Sequence, residues 1–300
     1  MADRLAALPL TQQLLTRCTF PEAGSEVTCA VSGGADSAAL LVLAVAAGCR
    51  ATAVHVDHQL RAGSAAEAEI VHELAEGVGA AFEALTVDVG DGPNLEARAR
   101  AARFAALPEG VLTGHTADDQ AETVLLNMLR GAATSGLAAM RPNIRRPLLA
   151  LRRTQTAGLC DALGIVVVRD PSNLDPRHLR NRVRHDLLPL MNELARRDLV
   201  PVLTRQADLA RAEADLLDEL AATIEPTDAK ALNAAPLPLA RRAVRRWLTT
   251  DHPPDLATVE RVLAVARGEC VATETGDGRR VSRQLQRLQL HPWASTVPNE

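Results

Sequence analysis

Val27-Thr28-Cys29-Ala30-Val31 runs into Ser32-Gly33-Gly34-Ala35-Asp36-Ser37 and then into Ala38-Ala39-Leu40-Leu41-Val42-Leu43. A polar, glycine-bearing turn thus separates an apolar run of strand length from one that suits a helix. Two adjacent glycines let a ligand approach the backbone, and the hydroxyls of Ser32 and Ser37 stand beside amides that a helix start leaves unpaired. That is chemistry for phosphate. Asp36 adds a carboxylate for a cation or an ammonium. The same six residues also suit a plain βα turn in which Asp36 or Ser37 caps the following helix. The spacing GxxxxGK followed by Ser or Thr, which marks the phosphate loop of nucleoside triphosphatases, is absent, and no lysine lies near.

Working outward, strand-like runs at 26–31, 51–57, 81–88 and 110–114 alternate with helical patterns at 37–47, 64–78, 94–107 and 117–129. This rhythm predicts an α/β domain with a doubly wound parallel sheet. Ligands of such sheets collect at the carboxyl ends of the strands. The glycine turn ends the first strand, His55-Val56-Asp57-His58 the second and Gly114-His115 the fourth, so polar residues of three strands converge on one crevice. A fifth unit follows, with a helix over 153–163 and a short buried strand, Ile165-Val166-Val167-Val168. Helical patterns at 178–190 and 198–222 then lead to a domain boundary near 220. The division is 1–220 and 221–300. The second, smaller domain reads as mostly helical, with helices over 237–249 and 255–266 and a hairpin around Gly276-Asp277-Gly278.

Of the 300 residues 47% are hydrophobic, enough for a sizeable core. No segment approaches the roughly 20 apolar residues of a membrane span, and Met1-Ala2-Asp3-Arg4 lacks the start of a signal peptide, so the expected location is the cytoplasm. Five cysteines without a CxxC pair argue against a disulfide framework, a zinc ribbon or a redox dithiol. Lys230 is the only lysine, an arginine bias that reads as genome composition. A net charge of −4 gives no global nucleic-acid signature. Locally the balance reverses. Residues 141–184 hold ten arginines against three acids, which is either a patch for RNA phosphates or a solvated face.

The second motif is His115-Thr116-Ala117-Asp118-Asp119-Gln120-Ala121-Glu122-Thr123. On a helix Glu122 lies four residues from Asp118 and three from Asp119, so the carboxylates share a face. Thr116 and Asp119 fit a capping box, which leaves Glu122 and His115 unexplained. Clustered acids in the crevice suit Mg²⁺ or a ligand ammonium. Two further stretches are ambiguous alone. Asn94 to Phe104 is a helix with Arg100 and Arg103 on neighbouring positions, equally a surface helix with a Glu96–Arg100 pair. Asp170-Pro171-Ser172-Asn173-Leu174-Asp175 makes a turn before Arg180-Asn181-Arg182-Val183-Arg184, which offers phosphate contacts or a solvated face.

SGGADS at 32–37 resembles the pyrophosphate loop of the ATP pyrophosphatase (PP-loop) family, with its adenine nucleotide alpha hydrolase-like fold. HVDHQLR at 55–61, NLEARARAARF at 94–104, GHTADDQAETVLLNMLRG at 114–131, RPLL at 146–149 and DPSNLDPRHLRNRVRHDLLPL at 170–190 resemble one branch of it, the tRNA(Ile)-lysidine synthases. The resemblance implies ATP as co-substrate, Mg²⁺, free L-lysine and an isoleucine tRNA with anticodon CAU. ATP adenylates O2 of the wobble cytosine, and the ε-amine of lysine then attacks C2 and expels AMP, which changes codon reading from AUG to AUA. By the same resemblance Ser32, Gly33, Gly34, Ala35, Asp36 and Ser37 bind ATP, Asp36 helps to hold Mg²⁺, and Asp119 and Glu122 recognise lysine. His115 is a phosphate contact or a proton carrier. Arg180, Arg182 and Arg184 contact tRNA, the cytosine is flipped into the crevice, and the tail at 221–300 resembles a small tRNA-binding domain. A tRNA thiolation enzyme of the superfamily would use cysteines or an iron–sulfur centre, and a silent binding protein would have lost Asp36, Asp119 or Glu122. An amide-forming synthetase on a small metabolite would bring a glutaminase partner. A homodimer stays open.

Overall fold

The computed structural model describes residues 2–57, 64–90, 98, 101–102, 105–168 and 175–292. Parts of the stretches at 55–61, 94–104 and 170–175, including His58, Arg100, Arg103, Phe104 and Asp170 to Leu174, lie outside them. Two compact units divide the chain, Met1–Asp208 and Leu209–Glu300, and the division falls within the helix Val200–Ala222.

The first unit is built on three parallel strands, β1 (Glu26–Ala30), β2 (Arg50–Asp57) and β3 (Ala81–Thr86), in the order β1-β2-β3. β-branched Val27, Thr28, Thr52, Val54 and Val56 favour the pleated backbone. Leu112, in the stretch expected to be the fourth strand, forms a single parallel bridge to Cys29. Its carbonyl accepts from Ala30 N–H at 2.9 Å and its N–H donates to Thr28 at 2.8 Å, on the edge of β1 opposite β2. The chain therefore runs outward through β2 and β3 and returns beside β1. That reversal opens a crevice at the carboxyl ends of β1 and the Leu112 segment.

The helix Ala35–Ala46 follows β1, and every residue from Ser37 to Ala46 is buried. Such all-round burial marks a helix inside the core rather than an amphipathic surface one. Val71 and Ala75 from the helix Ser64–Val78, and Leu159 and Cys160 from the helix Arg153–Ala162, pack into the same cluster. So do Leu5 and Leu14 of two short helices, Ala2–Ala6 and Pro9–Leu15, that the sequence pattern does not mark.

Two expectations take a different form. Ile165–Val168 has no regular secondary structure and joins no strand ladder. Val166 is 69% exposed, while Val168 donates its N–H to Gly33 O at 2.9 Å. The run over 178–190 is an interrupted helix, with Leu179–Arg182, a π turn at Val183–Leu187 and Leu188–Ala195. Pro189 explains the break, because it has no N–H to continue the regular ladder, and the Leu188 N–H reaches back to Val183 O.

In the second unit the helices Ala229–Ala234, Leu237–Leu248 and Leu256–Arg267 cover an antiparallel sheet of β4 (Ala272–Glu274), β5 (Arg279–Gln284) and β6 (Arg287–Pro292). Val244, Leu248, Val262, Leu263, Val281 and Leu288 form its core. The expected hairpin joins β4 to β5, and a second one joins β5 to β6 through Leu285 and Gln286, at φ 47° and 66°. Neither residue is a usual choice for a left-handed turn, so the sequence gives no sign of it. Among the described residues no helix is long and apolar enough to cross a membrane.

Candidate active site

Gly33 has φ +84°, and a Cβ there would meet Val168 Cγ2 at 2.5 Å. Only glycine suits that turn. Gly34 is different, since the nearest atom to a Cβ is Ser32 Oγ at 3.8 Å, so its bare backbone leaves open space above the loop. Inside the loop Ser37 Oγ accepts from Ser32 N–H at 3.1 Å and donates to Gly34 O at 2.9 Å. Gly34 is the N-cap residue of the helix Ala35–Ala46, and no side chain caps it. The capping alternative for Asp36 and Ser37 is therefore not realised. The helix N-terminus presents amides and a positive dipole end to the crevice.

Gly114 brings the segment after Leu112 against this loop. A Cβ on it would lie 2.6 Å from Asp36 O and 3.1 Å from Ser37 N. His115 follows, its Nδ1 2.8 Å from Thr113 Oγ1, and the helix Ala117–Leu129 begins at Thr116. Asp119 Oδ2 accepts from Thr116 N–H and Thr116 Oγ1, both at 2.9 Å, which is the carboxylate half of the expected capping box. Its other oxygen, with both oxygens of Glu122, faces a cluster of arginines. Glu122 is fully buried.

Arg153, which the sequence pattern does not single out, reaches all three acids. Nε lies 3.3 Å from Asp36 Oδ2, Nη1 3.0 Å from Glu122 Oε1 and Nη2 3.1 Å from Asp119 Oδ1. Arg180 donates to Glu122 Oε2 at 2.8 Å and Asp119 Oδ1 at 3.0 Å. Arg184 donates to Glu122 Oε1 at 2.6 Å and Oε2 at 3.1 Å. Arg180 and Arg184, four residues apart, share a face, while Arg182 points elsewhere, 63% exposed and 3.8 Å from Asp186. Helical spacing within RNRVR is the signal that separates them.

The two aspartates titrate in opposite senses. Burial pushes the Asp36 carboxyl above its ordinary value, and the Thr156 hydroxyl and the Arg153 guanidinium offset that only in part. Burial also acts upward on Asp119, but Arg153 and then Arg180 outweigh it and hold the carboxyl below its ordinary value. Asp118 serves packing instead. It accepts from Arg152 Nε at 3.0 Å and from Arg153 N–H at 2.8 Å, which ties the helix Ala117–Leu129 to the start of Arg153–Ala162. Among the described residues no three His, Cys, Asp or Glu side chains gather as a metal site. Asp36 supplies one carboxylate, which fits Mg²⁺ held mainly by substrate phosphates and water. His55, at the end of β2, is buried with Nδ1 2.9 Å from Val31 O, a contact that binds strand to strand.

Comparison with known proteins shows the family. The PP-loop domain family matches residues 9–191. The tRNA(Ile)-lysidine synthase of Rhodococcus erythropolis (strain PR4 / NBRC 100887) is 40% identical over 259 residues, 81% of this chain and 80% of that protein. That of Mycolicibacterium paratuberculosis (strain ATCC BAA-968 / K-10) is 43% identical over 235 residues, 73% of each. Among solved structures, the U34-tRNA thiolase NcsA from Methanococcus maripaludis with its 4Fe-4S cluster superposes with a TM-score of 0.53 at 14% identity, over 67% of this chain and 78% of that one. At that identity the likeness concerns the fold alone.

Proposed function

The chain belongs to the PP-loop domain family and, within it, to the tRNA(Ile)-lysidine synthases, and from that premise we propose how its residues divide the reaction. It is an enzyme that uses ATP to form lysidine on tRNA(Ile). The cytosine O2 at the wobble position of the CAU anticodon attacks the α-phosphorus, and the bond to pyrophosphate breaks. The ε-nitrogen of free lysine, having given up a proton, then attacks C2. The C2–O2 bond breaks, AMP leaves with that oxygen, and the new base reads AUA in place of AUG.

The amides and hydroxyls of Ser32–Ser37 hold the ATP phosphates. Asp36 would help to hold Mg²⁺, which when bound would offset charge on the departing pyrophosphate. Asp119 and Glu122 receive the lysine ammonium, since a buried cation needs carboxylates around it. His115 borders the same crevice. Arg180, Arg182 and Arg184 bring guanidinium forks for tRNA phosphates, with residues 1–220 as the catalytic domain and 221–300 as the smaller tRNA-binding domain. The observation that carries this reading is one guanidinium, Arg153, within hydrogen-bonding reach of both the loop acid and the paired acids. The phosphate end and the ammonium end of the site are that close.

The test is transfer of labelled lysine to an isoleucine tRNA transcript with anticodon CAU, with and without ATP, beside a methionine elongator transcript with the same anticodon. ATP-dependent label in the first alone is expected, and label in neither overturns the assignment. In Glu122→Ala pyrophosphate release is expected to survive and lysine transfer to be lost. Equal loss of both steps removes Glu122 from the lysine site.

A further inference from the structure

Every oxygen of the carboxylate pair is taken. Glu122 Oε1 accepts from Arg153 and Arg184, Oε2 from Arg180 and Arg184, Asp119 Oδ1 from Arg153 and Arg180, and Asp119 Oδ2 from Thr116. Two acids, Asp119 and Glu122, face three guanidiniums, so the pair in the ligand-free chain has no oxygen left for a further cation. A lysine ammonium can reach Asp119 and Glu122 only by replacing a guanidinium already there.

The three arginines are not equally replaceable. Arg153 is held through its backbone, by its N–H on Asp118 Oδ2 at 2.8 Å and by its place in the first turn of the helix Arg153–Ala162, which also carries the buried Thr156, the partner of Asp36. Arg180 and Arg184 come from the other side, on a four-residue helix and the π turn that follows it. A π turn holds one residue more than a regular turn, and its relaxation rotates the side chains it carries. Guanidiniums also have a second class of partner in this reaction, the phosphates of its two polyanionic substrates.

We propose that Arg180 and Arg184 stand in for the substrate ammonium in the ligand-free chain and make lysine binding conditional on a polyanionic substrate that draws them off Asp119 and Glu122. This rests on the reading of those acids as the lysine site. Phosphate oxygens take the guanidiniums, the ammonium takes the carboxylates, and neither buried charge is left without a partner. The two bindings are thereby linked, and the linkage is reciprocal: lysine tightens the polyanion by the factor by which the polyanion tightens lysine. Arg180 and Arg184 are in this sense specificity-determining residues, because they admit the nucleophile only when there is a nucleotide or an RNA to react with.

Calorimetric titration of L-lysine tests this on the free chain, with a non-hydrolysable ATP analogue, with the CAU tRNA transcript, and with both. L-Norleucine, which lacks the ε-ammonium, is titrated in parallel. The expected result is lysine binding at least about tenfold tighter in a loaded chain than in the free one. The ATP-analogue and tRNA arms show which phosphates release the arginines. The double variant Arg180→Gln, Arg184→Gln is expected to bind lysine, when free, about tenfold tighter than the free parent chain, a gain that a merely structural or phosphate-binding role does not give. If the double variant does not fold, the parent-chain arms decide alone. Lysine preferred to norleucine, yet equally tight in free and loaded chains, overturns the proposal and leaves the lysine acids standing. Loading that strengthens lysine and norleucine alike overturns both.

Discussion

Asp36 and Asp119 lie on either side of one guanidinium and respond oppositely to the protein around them. Asp36 has a raised pKa through burial, so its ionised form costs the ligand-free fold stability above the ordinary carboxylate range. Asp36→Asn is therefore expected to abolish pyrophosphate release while its melting temperature at pH 7 stays level with, or above, that of the parent chain. Asp119 has a lowered pKa despite burial, because of Arg153 and Arg180. Its contribution is present above the unfolded value near about 4 and is lost as pH falls through the folded value. Thermal melts from pH 6 downward should show acid weakening in the parent chain and a shallower slope in Asp119→Asn; identical slopes would remove Asp119 as a source of it. The carboxylates of this site are legible from spacing. Arg153 is not, since its contact with Asp36 spans 117 residues of sequence and nothing local to Leu151-Arg152-Arg153-Thr154 marks it.

At the scale of elements, the site exists because two backbone segments touch. Gly114 lies against the carbonyl of Asp36, so Gly114→Ala pushes directly on the phosphate loop. Its expected effect is a loss of pyrophosphate release of about tenfold or more, from displacement of reacting groups rather than unfolding. A melting temperature that falls in step with activity would count against that cause. The loop, its strand and its helix are readable in sequence because period and glycine placement agree there. The π turn is not, because the pattern over 178–190 is helical throughout and only Pro189 hints that the ladder shifts. The apolar run 165–168 misleads for a related reason: hydrophobic character alone does not say whether a neighbouring strand is available.

For the whole molecule, the alternation of strands and helices is enough to foresee a nucleotide fold followed by a smaller body with its own core. The exact point of division within a continuous helix is invisible to composition. A chain ending at Ala222 is expected to keep its affinity for ATP within about threefold and to lose tRNA affinity by about tenfold or more. Unchanged tRNA binding would remove residues 223–300 from the RNA interface.

Lys230 is the only lysine, exposed on a short helix of the second unit. The unit that holds the loop and the acids thus contains no side-chain primary amine at all. Its cations are guanidiniums, which stay protonated and make poor nucleophiles. On the proposed mechanism, a cytosine activated there would meet no ε-amine of that unit able to trap it, so self-modification is closed off within the unit by composition. Amine-directed reagents should likewise find no lysine in residues 1–208 and leave the side chains of the reactive crevice chemically unmarked.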